Sequence, residues 1–316
     1  MESNNQSSKE WKLIEKTMLQ LGVEQRRSRR WGVFFKVLTF SYLFALLFVM
    51  FDGLSEQKIG DAETYTALVD LRGVIAASEE ASADFLITGL RAAFEAEGTK
   101  AVILRVNSPG GSPVQSGYVY DEIKRLRVLH PEIPLYAVIS DIGASGAYYI
   151  AAAADQIYAD KASLVGSIGV VASGFGFVDT MKKLGVERRL YTSGAHKAFL
   201  DPFSDEKEGE VEFWNGVLNK THEQFIAKVK EGRGDRLKVD EDTFSGLVWN
   251  GEQALEKGFV DGLGSSGYVA REIVGAAEIV DFTPQPDPFE RFTKTLGIAA
   301  GNVMASALNM SGFSMR

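Results

Sequence analysis

Leu135-Tyr136-Ala137-Val138-Ile139-Ser140-Asp141-Ile142-Gly143-Ala144-Ser145-Gly146-Ala147-Tyr148-Tyr149-Ile150-Ala151 is the stretch that decides the fold. Residues 135–140 are almost continuously apolar, the pattern of a strand covered on both faces. Small residues then turn the chain, and a helix is expected over 145–153. A strand that passes through a tight turn directly into a helix is the opening of a parallel crossover unit. Ser145 stands at the junction. A serine there lies near the helix's free N–H groups and its positive dipole end, which favour a developing negative charge. Gly143, Ala144, Gly146 and Ala147 would let another backbone approach closely. The same position also suits an ordinary N-cap serine, so this stretch alone leaves both uses open.

The alternation continues on either side. Strands are expected at 66–71, 101–106, 156–159 and 164–171, and helices at 82–97, 114–129 and within 206–230. Strand and helix alternating in this way predict an α/β domain, a mostly parallel sheet covered by helices, over residues 65–282. Several strand-like runs are short and gather around Gly-rich turns, unlike a regular doubly wound sheet. A polar linker, 52–64, precedes the domain. A tail, 283–316, follows it with three prolines in its first six residues, and is expected to be flexible or docked on the surface.

Before the linker, residues 31–51 form an apolar run of 21 residues whose one charge is Lys36. At about 1.5 Å per residue a helix of that length spans ~30 Å, the thickness of a bilayer core. Arg26, Arg27, Arg29 and Arg30 stand before it, and Asp52 and Glu56 after it. The positive-inside rule then puts residues 1–30 in the cytoplasm and the large domain across the inner membrane, in the periplasm. Phe51-Asp52-Gly53-Leu54 is not a small-x-small cleavage site, so a retained anchor is expected rather than a removed leader. Trp11, Ile14, Met18 and Leu21 fall at helical spacing among basic residues, a pattern that suits an interfacial helix.

Composition excludes several chemistries. The chain has no cysteine, which removes disulfides, thiolate metal sites and a cysteine nucleophile. Its three histidines, His130, His196 and His222, are scattered, with no HExxH spacing, so neither a metal nor another cofactor is expected. The net charge is -8, and residues 1–30 carry +3 of opposing charge, which leaves the rest of the chain at -11. So acidic a body repels a phosphate backbone, and nucleic acid is not an expected partner.

Two further segments carry chemistry. Arg105-Val106-Asn107-Ser108-Pro109-Gly110-Gly111 follows a buried strand. Its Gly pair can turn sharply and leave amide N–H groups uncovered, either as a plain turn or as donors to an oxyanion. Tyr191-Thr192-Ser193-Gly194-Ala195-His196-Lys197-Ala198-Phe199 places a lysine among apolar and aromatic neighbours. Desolvation disfavours a lysine's charged form, and a neutral amine can take a serine proton. A surface lysine lying over apolar neighbours would look the same. His196 is a rival base, and in a strand it would point away from the face that Lys197 uses.

In this order and spacing the segments resemble the signal peptide peptidase A family of bacterial Ser–Lys proteases. The matching pieces are Asn107-Ser108-Pro109-Gly110-Gly111, Ala144-Ser145-Gly146-Ala147-Tyr148-Tyr149-Ile150-Ala151, Gly166-Ser167-Ile168-Gly169-Val170 and Ser193-Gly194 with Lys197. The resemblance implies Ser145 as nucleophile, Lys197 as general base, Gly111 and Gly146 as oxyanion amides, and Ser167 as the hydroxyl that orients the lysine. It implies the Clp protease/crotonase type of fold, built from repeated β-β-α units, in its short single-domain form. It further implies signal peptides and other extended apolar peptides as substrates, and a homo-oligomer in which the serine of one subunit meets the lysine of the next. Asp141 departs from the small or apolar residue many relatives have there. Two rivals stand beside this reading. An α/β-hydrolase could use Gly143-x-Ser145-x-Ala147 as its elbow, with His222 as base. A non-catalytic scaffold of the same superfamily could keep the fold alone.

Overall fold

The computed structural model describes residues 63–285, residues 29–45, and Lys16, Met18, 25–27 and Phe48. The expected linker over 52–62, the tail from 286 on, and most of the interfacial helix lie outside the described residues.

Three long strands make the centre: β1 (Tyr65–Arg72), β2 (Thr99–Ser108) and β3 (Leu135–Ala144). They pair in parallel, β1 with β2 and β2 with β3. Helix α1 (Ala83–Glu95) connects β1 to β2, and α2 (Pro113–Leu129) connects β2 to β3. Such crossovers cover the sheet, which is why these strands are near-continuous apolar runs. Alternate side chains feed two apolar clusters. Val69, Leu104, Val106 and Ile139 join the larger one with α1 and α2, while Leu68, Ile103 and Val138 join a smaller one with Tyr158, Val269 and Ala270. Pro113 opens α2, where a missing N–H costs nothing, and the Ser112 side chain caps the Gln115 N–H at 3.4 Å.

Beyond β3 come α3 (Gly146–Ala151), β4 (Gln156–Ala159), β5 (Leu164–Gly166), α4 (Val178–Leu184) and the long α5 (Glu208–Arg233). The chain closes with β6 (Val248–Trp249), α6 (Gly251–Glu256), β7 (Gly262–Leu263), α7 (Ser266–Tyr268) running into a π-turn, and β8 (Ile279–Asp281). The sheet order is β6-β5-β3-β2-β1-β8, with β4 pairing β3 and β7 off that path. All pairings are parallel except β5 with β6. The α/β class and its parallel sheet are therefore as expected.

One feature of this sheet places the site. The first half of β3 pairs with β4, whereas Ile142, Gly143 and Ala144 pair with β5. The register with β2 also shifts between Val106 and Ser108. The fork carries the end of β3 away from β4, so that Ser145 emerges beside the end of β5. β5 stops at Gly166 rather than continuing to 171 as expected. Gly166 has φ +115° and Ser167 φ +53°, and left-handed backbone cannot continue a strand.

α5 is fastened at its C-terminal end. Arg233 is 1% exposed and pairs with Asp261 through two hydrogen bonds of 2.7 and 2.9 Å, while its Nε donates to the Gly258 carbonyl. These charge-assisted bonds hold Asp261 below the ordinary carboxylate range against the opposing effect of burial.

Residues 29–45 are helical throughout, and their side chains are exposed. Among the described residues no helix is long and apolar enough to cross a membrane. The expected anchor, 31–51, extends into residues outside the described set, namely 46, 47 and 49–51.

Candidate active site

Ser145 directly follows β3 and precedes α3, with φ +54° and ψ -125°. An N-cap normally sits in the β region and bonds its side chain to a nearby N–H. Ser145 does neither, since its side chain makes no cap hydrogen bond. Strained non-Gly backbone persists only where the surroundings fix it, and it gathers at functional sites. Here the Ser145 N–H donates to the Gly166 carbonyl at 2.8 Å, and its own carbonyl accepts from Tyr149 N–H at 2.9 Å. Ser145 lines a cavity of about 480 Å³.

Gly111 and Gly146 line the same cavity. Gly110 and Gly111 have φ +96° and +153°, and the loop they form presses onto the Ser145 turn. A Cβ on Gly110 would lie 2.7 Å from Gly146 N, and one on Gly111 would overlap the Ile75 carbonyl. The close approach therefore requires glycine. The loop is held by Ile75 N–H donating to Gly110 O and Ser112 N–H donating to Ile75 O. Neither the Gly111 nor the Gly146 N–H meets an acceptor among the described residues. Two adjacent unsatisfied amides beside a strained serine can hold the oxyanion of a tetrahedral acyl intermediate.

Ser167 also lines the cavity, in its own left-handed conformation, with its N–H bonded to Leu247 O at 2.7 Å. So the structure brings together four of the five expected site residues. Lys197 is not among the cavity-lining residues. It is exposed on a turn spanning 193–200, not on the strand assumed in weighing it against His196. Phe199 packs that turn on α5, with its ring 5.9 Å from Phe213 and 5.8 Å from Trp214. The cavity meets α5 at Thr221, Gln224 and Phe225. At ~1.5 Å per residue those two contact points lie about 10–18 Å apart along the helix.

Neither histidine substitutes. His196 is exposed, with Nδ1 4.0 Å from Glu210. His222 does not line the cavity, and its Nε2 is engaged at 3.0 Å with the Ile168 carbonyl. Asp141 is exposed and accepts a 2.8 Å hydrogen bond from Asn107 Nδ2, away from the cavity lining.

Sequence reasoning missed the far wall. Ser116 lies one helical turn after Ser112, donates to the Ser112 carbonyl at 2.9 Å, and sits against Gly146. Tyr149 and Phe225, their rings tilted with centroids 5.1 Å apart, line the cavity as well. Burial holds the Tyr149 phenol above its ordinary pKa, so it is a neutral wall residue. Among the described residues the cavity lining contains no lysine, histidine, aspartate or glutamate.

A model of peptidase family S49 matches residues 127–279, a range that holds Ser145, Ser167 and Lys197. The chain is 31% identical over 216 residues to a putative signal peptide peptidase SppA of Enterococcus faecium, covering 68% of this chain and 62% of that protein. It is 32% identical over 210 residues to Protease 4 of Haemophilus influenzae, covering 63% of this chain and 32% of that protein. It is also 41% identical over 215 residues to a Na(+)/H(+) antiporter NhaA of Brucella abortus, covering 68% of this chain but 29% of that protein. The chain thus spans less than two thirds of the length of these relatives. Family model, relatives and motif order together support the signal peptide peptidase A family, within peptidase family S49, over the residues they match.

Proposed function

We propose that this chain is a membrane-anchored serine endopeptidase that cleaves signal peptides and other extended apolar peptides through a Ser–Lys dyad shared between subunits. The observation that carries the reading is a serine in a strained turn, beside two unsatisfied amides, in a cavity whose lining holds no base. A serine hydroxyl needs a proton acceptor to attack a carbonyl, so the base comes from elsewhere. Lys197 is the family's candidate, and it is not among the residues that line its own chain's cavity at Ser145.

The arm that carries Lys197 supports assembly. Between β5 and α5 the chain leaves large apolar side chains exposed, among them Phe175 at 81% and Tyr191 at 88%. Apolar surface on that scale suits burial against another copy of the chain. In the shared site, Lys197 of a neighbouring subunit takes the Ser145 proton, Ser145 Oγ attacks the peptide carbonyl, and the Gly111 and Gly146 amides hold the oxyanion. Ser167 orients the amine. The protonated lysine then returns its proton to the leaving amine, and water releases the acyl group by the same route. The mostly parallel sheet with its helical crossovers also supports a fold of the Clp protease/crotonase type.

For the membrane, the support is the helical run 31–45, which leaves Trp31, Phe34, Phe35, Leu38, Phe40 and Phe44 exposed and carries Lys36 as its one charge. A helix apolar all round belongs in lipid or a protein core. With the arginines before it, it would leave the peptidase domain on the periplasmic side. Removing residues 1–54 should release the enzyme from membranes; a fragment that still sediments with them in high salt contradicts a single anchor. The antiporter resemblance carries less weight. It covers under a third of that protein, and ion transport needs a bundle of spans rather than a parallel α/β sheet.

The test is co-assembly of two inactive chains, Ser145→Ala and Lys197→Ala. Random one-to-one mixing in a closed ring restores about a quarter of the sites if each is shared. Mixed rings, confirmed by mass, with no activity contradict sharing.

A further inference from the structure

We propose that His222 is a positioning residue of the Ser145 site, acting through the turn at Gly166–Ile168. The inference rests on the peptidase reading above. The turn carries a heavy load: the Gly166 carbonyl accepts the Ser145 N–H at 2.8 Å and so fixes the strained serine backbone. Ser167 itself has φ +53°, a conformation unfavourable for any side-chain-bearing residue, and follows Gly166 at +115°. Left free, two such residues would relax toward extended backbone and withdraw the Gly166 carbonyl from Ser145.

Three fastenings hold them. Ser167 N–H donates to Leu247 O at 2.7 Å, and the Ile168 side chain is fully buried. The third is His222, whose Nε2 lies 3.0 Å from the Ile168 carbonyl. A carbonyl only accepts, so the bond requires the proton on Nε2. Among the described residues no other donor reaches that carbonyl. Without His222 it becomes a buried acceptor with no partner, which destabilises the turn in this arrangement.

The placement of His222 on α5 extends its effect. Thr221, Gln224 and Phe225 of the same helix line the cavity opposite Ser145. One hydrogen bond therefore joins the two walls: α5 on one side, and the turn that bears Ser167 and holds Ser145 on the other. His222 touches no substrate in this arrangement and is not a base. Its Nε2 donates in both the Nε2–H neutral ring and the protonated ring.

Glutamine places an amide N–H near the position of imidazole Nε2, and methionine has similar length without a donor. The experiment compares the full-length wild type with His222→Gln and His222→Met in detergent. Melting temperature serves as the folding check. The readouts are kcat and KM on an apolar fluorogenic peptide across pH, and the rate at which a small phosphonate labels Ser145. His222→Met should lower kcat and the labelling rate by about tenfold with KM little changed. His222→Gln should recover most of that loss, and all three pH–rate curves should keep one shape. A folded His222→Met with wild-type kcat overturns the proposal, as does a His222→Gln no faster than His222→Met. Loss of a pH limb in both variants would make His222 a base and equally overturns it. A wild type that phosphonate fails to label at Ser145 would instead overturn the underlying peptidase reading.

Discussion

Gly146→Ala tests the oxyanion geometry with one methyl group. Gly146 opens α3 at negative φ, so alanine suits the backbone and even improves helix propensity. The cost is contact. The new Cβ would lie 2.5 Å from Ser116 Oγ and 3.3 Å from Gly111 N. Ordinary carbon–oxygen contact needs about 3.4 Å, so something must give by roughly 0.9 Å. Ser116 cannot swing away freely, being fully buried with its hydroxyl bonded to Ser112 O. The two glycine amides must therefore move apart, or α2 must shift. Overpacking of this kind costs about 1–3 kcal/mol, a few degrees of Tm for a domain this size. Activity should fall further, because losing one oxyanion donor costs about 100- to 1000-fold in kcat. Steady-state kinetics on an apolar peptide, beside calorimetry, separate the two: a large fall in kcat, KM within a few fold, and a modest change in Tm. A folded Gly146→Ala enzyme with kcat within twofold of wild type would refute the oxyanion assignment.

Two further outcomes concern stability. Arg233→Ala leaves the partly buried Asp261 with only Arg236 at 3.2 Å and the Ile157 N–H at 2.7 Å, and should cost about 3 kcal/mol, whereas Arg233→Met, which fills the same space, should cost less when paired with Asp261→Leu; thermal melts of these variants decide it. Glu122 accepts from Arg125 at 2.6 and 2.8 Å and from Arg91 at 2.6 Å, and these bonds lower its pKa from 4.5 to about 2. A carboxylate depressed on folding stabilises the fold above its unfolded pKa and loses that contribution as pH falls through the folded one. The stability advantage of wild type over Glu122→Gln should therefore be full near neutral pH and shrink from about pH 4.5 toward about 2; a gap independent of pH would contradict the pairing.

What was legible in the sequence followed from periodicity. β1, β2 and β3 are buried on both faces, so their apolar runs showed against the amphipathic segments that became α1 and α2. The Ser145 turn was legible because β3 runs into small residues directly before a helix. The strand expected over 164–171 was not, because its apolar residues hide the left-handed pair Gly166–Ser167, and a hydrophobic pattern carries no φ. The turn at Lys197 misled for a related reason. Leu200 has φ +50° and Gly194 φ +106°, and together they fold 193–200 into turns, so the opposite-face argument that a strand would give for His196 and Lys197 does not apply there. β6, β7 and β8 have two or three residues each, too few for any period to show. Thr221, Gln224 and Phe225 reach the cavity only because Arg233 and His222 dock α5, contacts that no local pattern announces.

The central claim is that Ser145 is the nucleophile, and covalent labelling tests it most directly. The full-length chain, in detergent, is treated with a serine-directed phosphonate, digested, and mapped by mass spectrometry beside its Ser145→Ala variant. The account predicts a single adduct on the peptide that contains Ser145, with peptide hydrolysis lost in proportion to labelling. The variant should be folded, unlabelled and inactive. Hydrolysis that persists in Ser145→Ala, or an adduct on any other serine, would contradict it.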